Sequence, residues 1–314
     1  MNQSRLLAQI GLVFTTLAWG VTFYLVQESL PYAKPFTFIF FRFIVATLAV
    51  LLFVFLKKDK GFFKKINNDE IKFGIICGFF LCGGYAFQNF GLELTTVNKS
   101  AFITSISVLL VPFVLLLYKK EKIKNMLWLS IVIVILGMYL LLDPTATKAQ
   151  SGANYNQEQI SINIGDLFTF FCAVFFAIHI IAQSDAVKNK INIIRFFIIQ
   201  CLSVSVFAGI CALFVNEPSI IWINNKNIFF DKHIVWISLL INGIIATAFA
   251  IFIMVWAQRI LTAGETAVIF SLEPIFTGIF SHMIGIETLF LSQWFGGIIV
   301  VLSVMYYSIF TGKN

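Results

Sequence analysis

Charge is what this sequence has least of. Asp, Glu, Lys and Arg make up only 12% of its 314 residues, 59% are hydrophobic, and the mean hydropathy is +0.92. Soluble domains carry about 25% charged residues, so a water-soluble fold of this length is excluded. A nucleic-acid partner is excluded as well. The net charge is +7, but Lys and Arg stand in short clusters and line no polar face. Histidines number three and cysteines five. Cys77, Cys82, Cys172, Cys201 and Cys211 all fall in apolar runs, with no CxxC pair and no His at ligand spacing. They read as small packing residues, and neither a metal site nor a cofactor is expected. No GxxxxGK[ST] loop occurs, so ATP drives nothing from within this chain. Paired Asp residues, a Ser–His couple or a metal cluster would mark a membrane-embedded enzyme. Glu273 is the one mid-span carboxylate and stands alone, so no enzyme is expected. No selectivity-filter motif points to a channel or receptor.

What the chain has in quantity is long apolar runs. A bilayer core takes about 20 apolar residues per helix. Ten runs fit, at roughly 6–28, 36–56, 71–92, 98–118, 126–143, 164–183, 191–215, 234–255, 265–284 and 289–310. The first reads as a membrane helix and not a signal peptide, because no small-residue cleavage site follows it. The largest polar break is 144–163, a linker with Pro, Gly and Ser. Basic residues fall on alternate breaks. With the N-terminus inside, Arg5, Lys57, Lys58, Lys60, Lys64, Lys65, Lys119, Lys120, Lys122, Lys124, Lys188, Lys190, Arg259 and Lys313 face the cytoplasm. Lys34, Lys99, Lys148, Lys226 and Lys232 face outward. Fourteen against five places both termini in the cytoplasm.

The two halves resemble each other. An offset of 166 pairs Thr96 with Thr262, Ala101 with Ala267, Ser105 with Ser271, Glu121 with Glu287 and Trp128 with Trp294. Apolar identities are common in membrane segments, whereas a Glu and a Trp seven residues apart in both halves are not. Residues 1–143 therefore form one five-helix unit and 164–314 a second, with 144–163 as an extracytoplasmic linker. Five is odd, so the second unit enters the bilayer inverted. The expected fold is an all-α integral membrane protein of ten transmembrane helices in two inverted five-helix repeats. Inverted repeats suit a carrier that opens alternately to either side. They give an enzyme or a receptor no advantage.

Several stretches carry a family likeness: LAWGVTFYLVQ (17–27), PFTFIFFRFIVA (35–46), GLELTTVNKSAFITSISVLLVPF (91–113) and AGETAVIFSLEPIFTGIFSHMIGIETLFLSQWFGGIIVVL (263–302). In order, spacing and duplication they resemble the drug/metabolite transporter superfamily, in its ten-helix EamA-type branch. That resemblance implies a central cavity lined by helices 1, 3, 4, 6, 8 and 9. It implies small organic substrates, such as amino acids or nucleotide-like metabolites, often exported, and a bacterial cytoplasmic membrane. The halves depart from one another at one telling place. Glu273-Pro274 corresponds to Ser107-Val108, and Pro112 falls four residues later than the offset predicts.

Polar groups inside hydrocarbon cost energy, so each needs a partner or a cavity. Glu273 has two readings. One is a cavity carboxylate that binds an ammonium or exchanges a proton as coupling ion. The other is a structural group beside Pro274, which removes a helix hydrogen bond. Arg42 either attracts an anionic substrate or braces helices. Tyr85, Gln88 and Asn89 share one face of helix 3 and read as cavity lining. Thr104 and Ser107 continue a stripe from Ser100 on helix 4, which lines a cavity or binds helices together. His179 and Gln183 stand one turn apart on helix 6, where a packing His is the commoner case and proton transfer the rarer. Trp19 and Trp256 are candidate aromatic walls. Lys99 and Glu265, paired by the offset, read as helix-end residues.

Overall fold

The computed structural model describes residues 3–58, 62, 65–120, 124–142, 163–189, 191–217, 233–286 and 289–311. They form ten helices: α1 (Gln3–Ser29), α2 (Pro35–Lys57), α3 (Asn68–Leu92), α4 (Val97–Thr104 and Ser107–Leu117) and α5 (Asn125–Leu142) in the first half. The second half holds α6 (Ile164–Lys188), α7 (Ile193–Phe214), α8 (His233–Ala257), α9 (Ala263–Phe270 and Glu273–Met283) and α10 (Leu291–Thr311). Nine are long and apolar enough to cross a bilayer, and the described part of α5 is shorter. Among the described residues the fold is all-helical, that of a multi-pass membrane protein of two inverted five-helix repeats. Residues 144–162, and Glu121 and Glu287, lie outside the described residues.

Local chemistry sets the helix ends. Asn67 with Glu70, Asn163 with Asp166, and Thr262 with Glu265 form reciprocal capping boxes that begin α3, α6 and α9. Pro35 opens α2, where its missing N–H costs nothing. The offset of 166 becomes visible here. Thr96 and Thr262 both act as N-caps, and Ser105 and Ser271 both close the first segment of a broken helix. At those breaks, short i to i+3 bonds replace the α-helical ladder, from Val108 N to Ser105 O and from Leu272 N to Ile269 O. Pro274 opens the second segment of α9, whereas Pro112 falls within the second segment of α4.

The repeats interdigitate. α1 lies against α8 and α9, α3 against α6 and α7, α2 against α7 and α8, and α5 against α10. Small residues permit the closest crossings. A Cβ on Gly20 would come within 2.8 Å of Phe276 Cβ on α9, and one on Gly296 within 2.5 Å of the Gly137 carbonyl. Both chain ends emerge at one end of the bundle, here termed the terminus end; the other is the linker end. A large apolar cluster with Leu12, Val111, Ile131 and Met254 fills the terminus half. A smaller one with Leu30, Phe38, Leu92 and Leu239 closes the linker end.

Candidate functional site

Between the two clusters lies a cavity of about 650 Å³. Walls from α1, α2, α3, α4, α6, α8 and α9 enclose it. Its lining runs from the bilayer centre towards the linker end. Trp19, Arg42, Tyr85, Gln88, Thr104, Ser107, His179 and Glu273 are brought together around it. Leu81, Phe176, Ile251, Met254 and Phe270 make much of the wall apolar.

Arg42 is 3% exposed. Its Nε donates to Thr247 Oγ1 at 2.7 Å and its Nη2 to the Tyr85 hydroxyl at 3.2 Å. The guanidinium carbon sits 4.3 Å from the Tyr85 ring centroid, so the ring face shares its charge. Nη1 has no hydrogen-bond partner among the described residues. Glu273 is 6% exposed and stands in the first turn of the second α9 segment, where the helix dipole favours a carboxylate. Among the described residues, neither Arg42 nor Glu273 takes part in an ion pair. The cavity thus holds one guanidinium and one carboxyl group, and no other Arg, Lys, Asp or Glu lines it among the described residues.

The other lining groups are held more firmly. Trp19 Nε1 donates to the Ala246 carbonyl at 2.8 Å, and its ring meets Phe270 edge-on at 4.8 Å. Thr104 Oγ1 lies 3.8 Å from Cys172 Sγ. His179 Nε2 lies 3.1 Å from Gln200 Nε2. Ser107 begins the second α4 segment, as Glu273 begins that of α9.

Three predicted positions lie elsewhere. Asn89 donates from Nδ2 to the Pro35 carbonyl at 3.4 Å and ties α3 to the start of α2. Gln183 donates to Gln258 Oε1 at 3.0 Å, and Gln258 in turn to the Ile180 carbonyl at 3.0 Å, which joins α6 to the end of α8. Trp256 packs on the apolar cluster of the terminus half. None of the three is among the cavity-lining residues.

Two polar lining residues, Thr22 and Asn242, were not legible beforehand. Asn242 lies in a π-helical stretch of α8, Ile241–Phe249. Its Nδ2 donates to the Ser238 carbonyl at 3.0 Å, and its buried Oδ1 has no partner among the described residues. The wider π turn also presents Ala246 to Trp19 and Thr247 to Arg42. Such stretches recur at functional sites. The sequence signal was weak: a single Asn inside LLINGIIATAFAIF.

The model of the EamA-like transporter family matches residues 6–143 and again 163–309. An "Uncharacterized transporter" of Archaeoglobus fulgidus is 31% identical over 307 residues, which cover 97% of this chain and 87% of that one. A protein of known crystal structure superposes with a TM-score of 0.71 over 98% of both chains at 15% identity, a likeness of fold alone.

Proposed function

The chain belongs to the EamA-like transporter family, and from that premise we propose that it is a secondary carrier for a small zwitterionic metabolite. One observation carries the reading: Arg42 and Glu273 share a largely apolar cavity, and no other Arg, Lys, Asp or Glu lines it among the described residues. A buried charge without a partner costs several kcal/mol (roughly 3–5 when a partner has been removed). A ligand bearing both a carboxylate and an ammonium would relieve both charges at once. Arg42 Nη1 would receive the carboxylate. Glu273, with the free Asn242 Oδ1 beside the cavity, would receive the ammonium. The apolar walls would take an apolar or aromatic side group.

The carrier alternates between openings to either side, as inverted repeats allow. It sits in a bacterial cytoplasmic membrane with both termini in the cytoplasm and works in export. A gradient or exchange drives it. Protons are the natural coupling ion, because Glu273 can bind a proton when the ammonium leaves. An enzyme is the poorer reading, since among the described residues no second carboxyl group lines the cavity beside Glu273. A channel or receptor would make no use of the inverted pair of repeats.

The test is ligand-induced stabilisation of the full chain in lipid nanodiscs. The probes are an α-amino acid with an aromatic side group, the matched amine and the matched carboxylic acid. The zwitterion should raise the melting temperature most. Arg42→Gln should abolish its advantage over the amine, and Glu273→Gln its advantage over the acid. Stabilisation by a neutral or doubly anionic probe in preference to the zwitterion would refute this substrate class.

A further inference from the structure

Each end of the bundle carries an ion pair that the repeat relates to the one at the other end. At the terminus end Arg5 of α1 pairs with Glu265 of α9. At the linker end Lys99 of α4 pairs with Asp166 of α6 at 2.6 Å. Each pair joins the first helix of one repeat to the fourth helix of the other. Lys99 and Glu265 occupy the same place under the offset of 166, the third residue of a helix capped by Thr96 or Thr262. The polarity is reversed. The fourth helix supplies the cation at the linker end and the anion at the terminus end.

Local helix chemistry accounts for only half of this arrangement. Asp166 and Glu265 close capping boxes and suit the positive end of a helix. Arg5 and Lys99 stand in the first turn of their own helices, where the dipole opposes a cation. Their carboxylate partners across the repeat boundary compensate for that. Neither cation is deeply buried, with side-chain exposures of 21% for Arg5 and 22% for Lys99. Their carboxylate partners are more buried, at 6% each, so each pair is only partly open to the surface.

The four helices so joined are four of the cavity walls. α1 and α9 bring Trp19 and Glu273, and α4 and α6 bring Thr104 and His179. The seam between α1 and α9 reaches the terminus end along the first segment of α9 and continues past the cavity along the second. The seam between α4 and α6 reaches the linker end along the first segment of α4 and continues the other way along the second. Each couple also has a fixed point beyond its latch. α1 and α9 touch closely at Gly20 and Thr277, and Lys119 pairs with Asp185 at the far ends of α4 and α6.

We propose that Arg5–Glu265 and Lys99–Asp166 are reciprocal latches of the transport cycle, so that opening to one end breaks the pair at that end and keeps the other. These residues would be positioning residues that set the balance between the two open states and touch no substrate. The proposal rests on the alternating-access reading, but its test needs no substrate.

The test is hydrogen–deuterium exchange on the full chain in nanodiscs, for Arg5→Gln and Lys99→Gln. Both variants leave the capping boxes intact. Arg5→Gln should speed exchange around residues 4–12 and 258–267 and slow it around 93–101 and 163–168. Lys99→Gln should do the opposite. Changes of roughly two- to fivefold are expected from pairs of this exposure. The charge-keeping variants Arg5→Lys and Lys99→Arg should behave as the parent. Slowing at the distant end is the decisive sign, because a purely local contact cannot cause it. Faster exchange confined to the altered end, or at both ends, would overturn the proposal. Absence of any change would overturn it too. Failure of the zwitterion to bind would leave this outcome unaffected, so the two readings fail separately.

Discussion

Single residues carry unequal weight in this molecule, and the heaviest charge pair is outside the cavity. Glu70, 1% exposed, accepts from Arg195 Nε at 2.7 Å, from Arg195 Nη2 at 2.8 Å and from the Asn192 N–H at 2.9 Å. Arg195→Gln leaves the carboxylate with fewer partners. It should cost about 3 kcal/mol and lower the thermal unfolding midpoint in detergent by several degrees. Glu70→Gln with Arg195→Gln should cost less than the two single losses combined, which a double-mutant cycle would show. Inside the cavity the effect falls on transport instead. In proteoliposomes, Glu273→Gln should slow gradient-driven uptake and leave exchange intact; normal gradient-driven uptake at every pH would remove Glu273 from coupling. Nothing in the sequence around Arg195 shows what it does. Its role depends on a partner 125 residues away, and no local pattern encodes that.

Helices were the most legible level, for a plain physical reason. The hydrocarbon thickness imposes a length, and the polar breaks between runs are rich in Lys. The run at 71–92 became Asn68–Leu92, the added turn coming from the Asn67–Glu70 capping box. The run at 164–183 became Ile164–Lys188, because a helix needs no hydrocarbon to continue past the bilayer surface. The π stretch of α8 was not legible, since its apolar residues follow no period that separates it from an α-helix. Eight of the eleven proposed cavity residues do line the cavity. Gln183 and Trp256 stand nearer the terminus end than the lining residues Ile180 and Met254, whereas Asn89 lies between Gln88 and Leu92, which line the cavity, and turns its amide to Pro35 instead. At this scale the sharpest prediction concerns α5 and α10. They touch backbone to backbone at Gly137 and Gly296. Gly137→Val should force them apart at a cost of about 1–3 kcal/mol, read as a lower unfolding midpoint. Zwitterion affinity should be retained in the folded fraction, because neither helix lines the cavity.

The whole molecule has a sidedness that its charges predict. A fluorescent reporter that folds only in the cytoplasm should light up when fused after Asn314. A phosphatase active only outside should work when inserted between Gln150 and Ser151. The reverse pattern would invert the assignment of Arg5–Glu265 to the cytoplasmic end.

The interdigitation of the repeats also imposes an order in time. A ribosome adding about 5–20 residues per second reaches Arg195 roughly 6–25 s after Glu70, and Thr247, which holds Arg42, comes later still. Until then Arg42 has Tyr85 but not Thr247, and Glu70 has its Asn67 cap but not Arg195. A chain halted after residue 143 would stay in that condition. Such a half-chain is expected to be lost to membrane proteases faster than the full chain, which a pulse-chase comparison of the two would show.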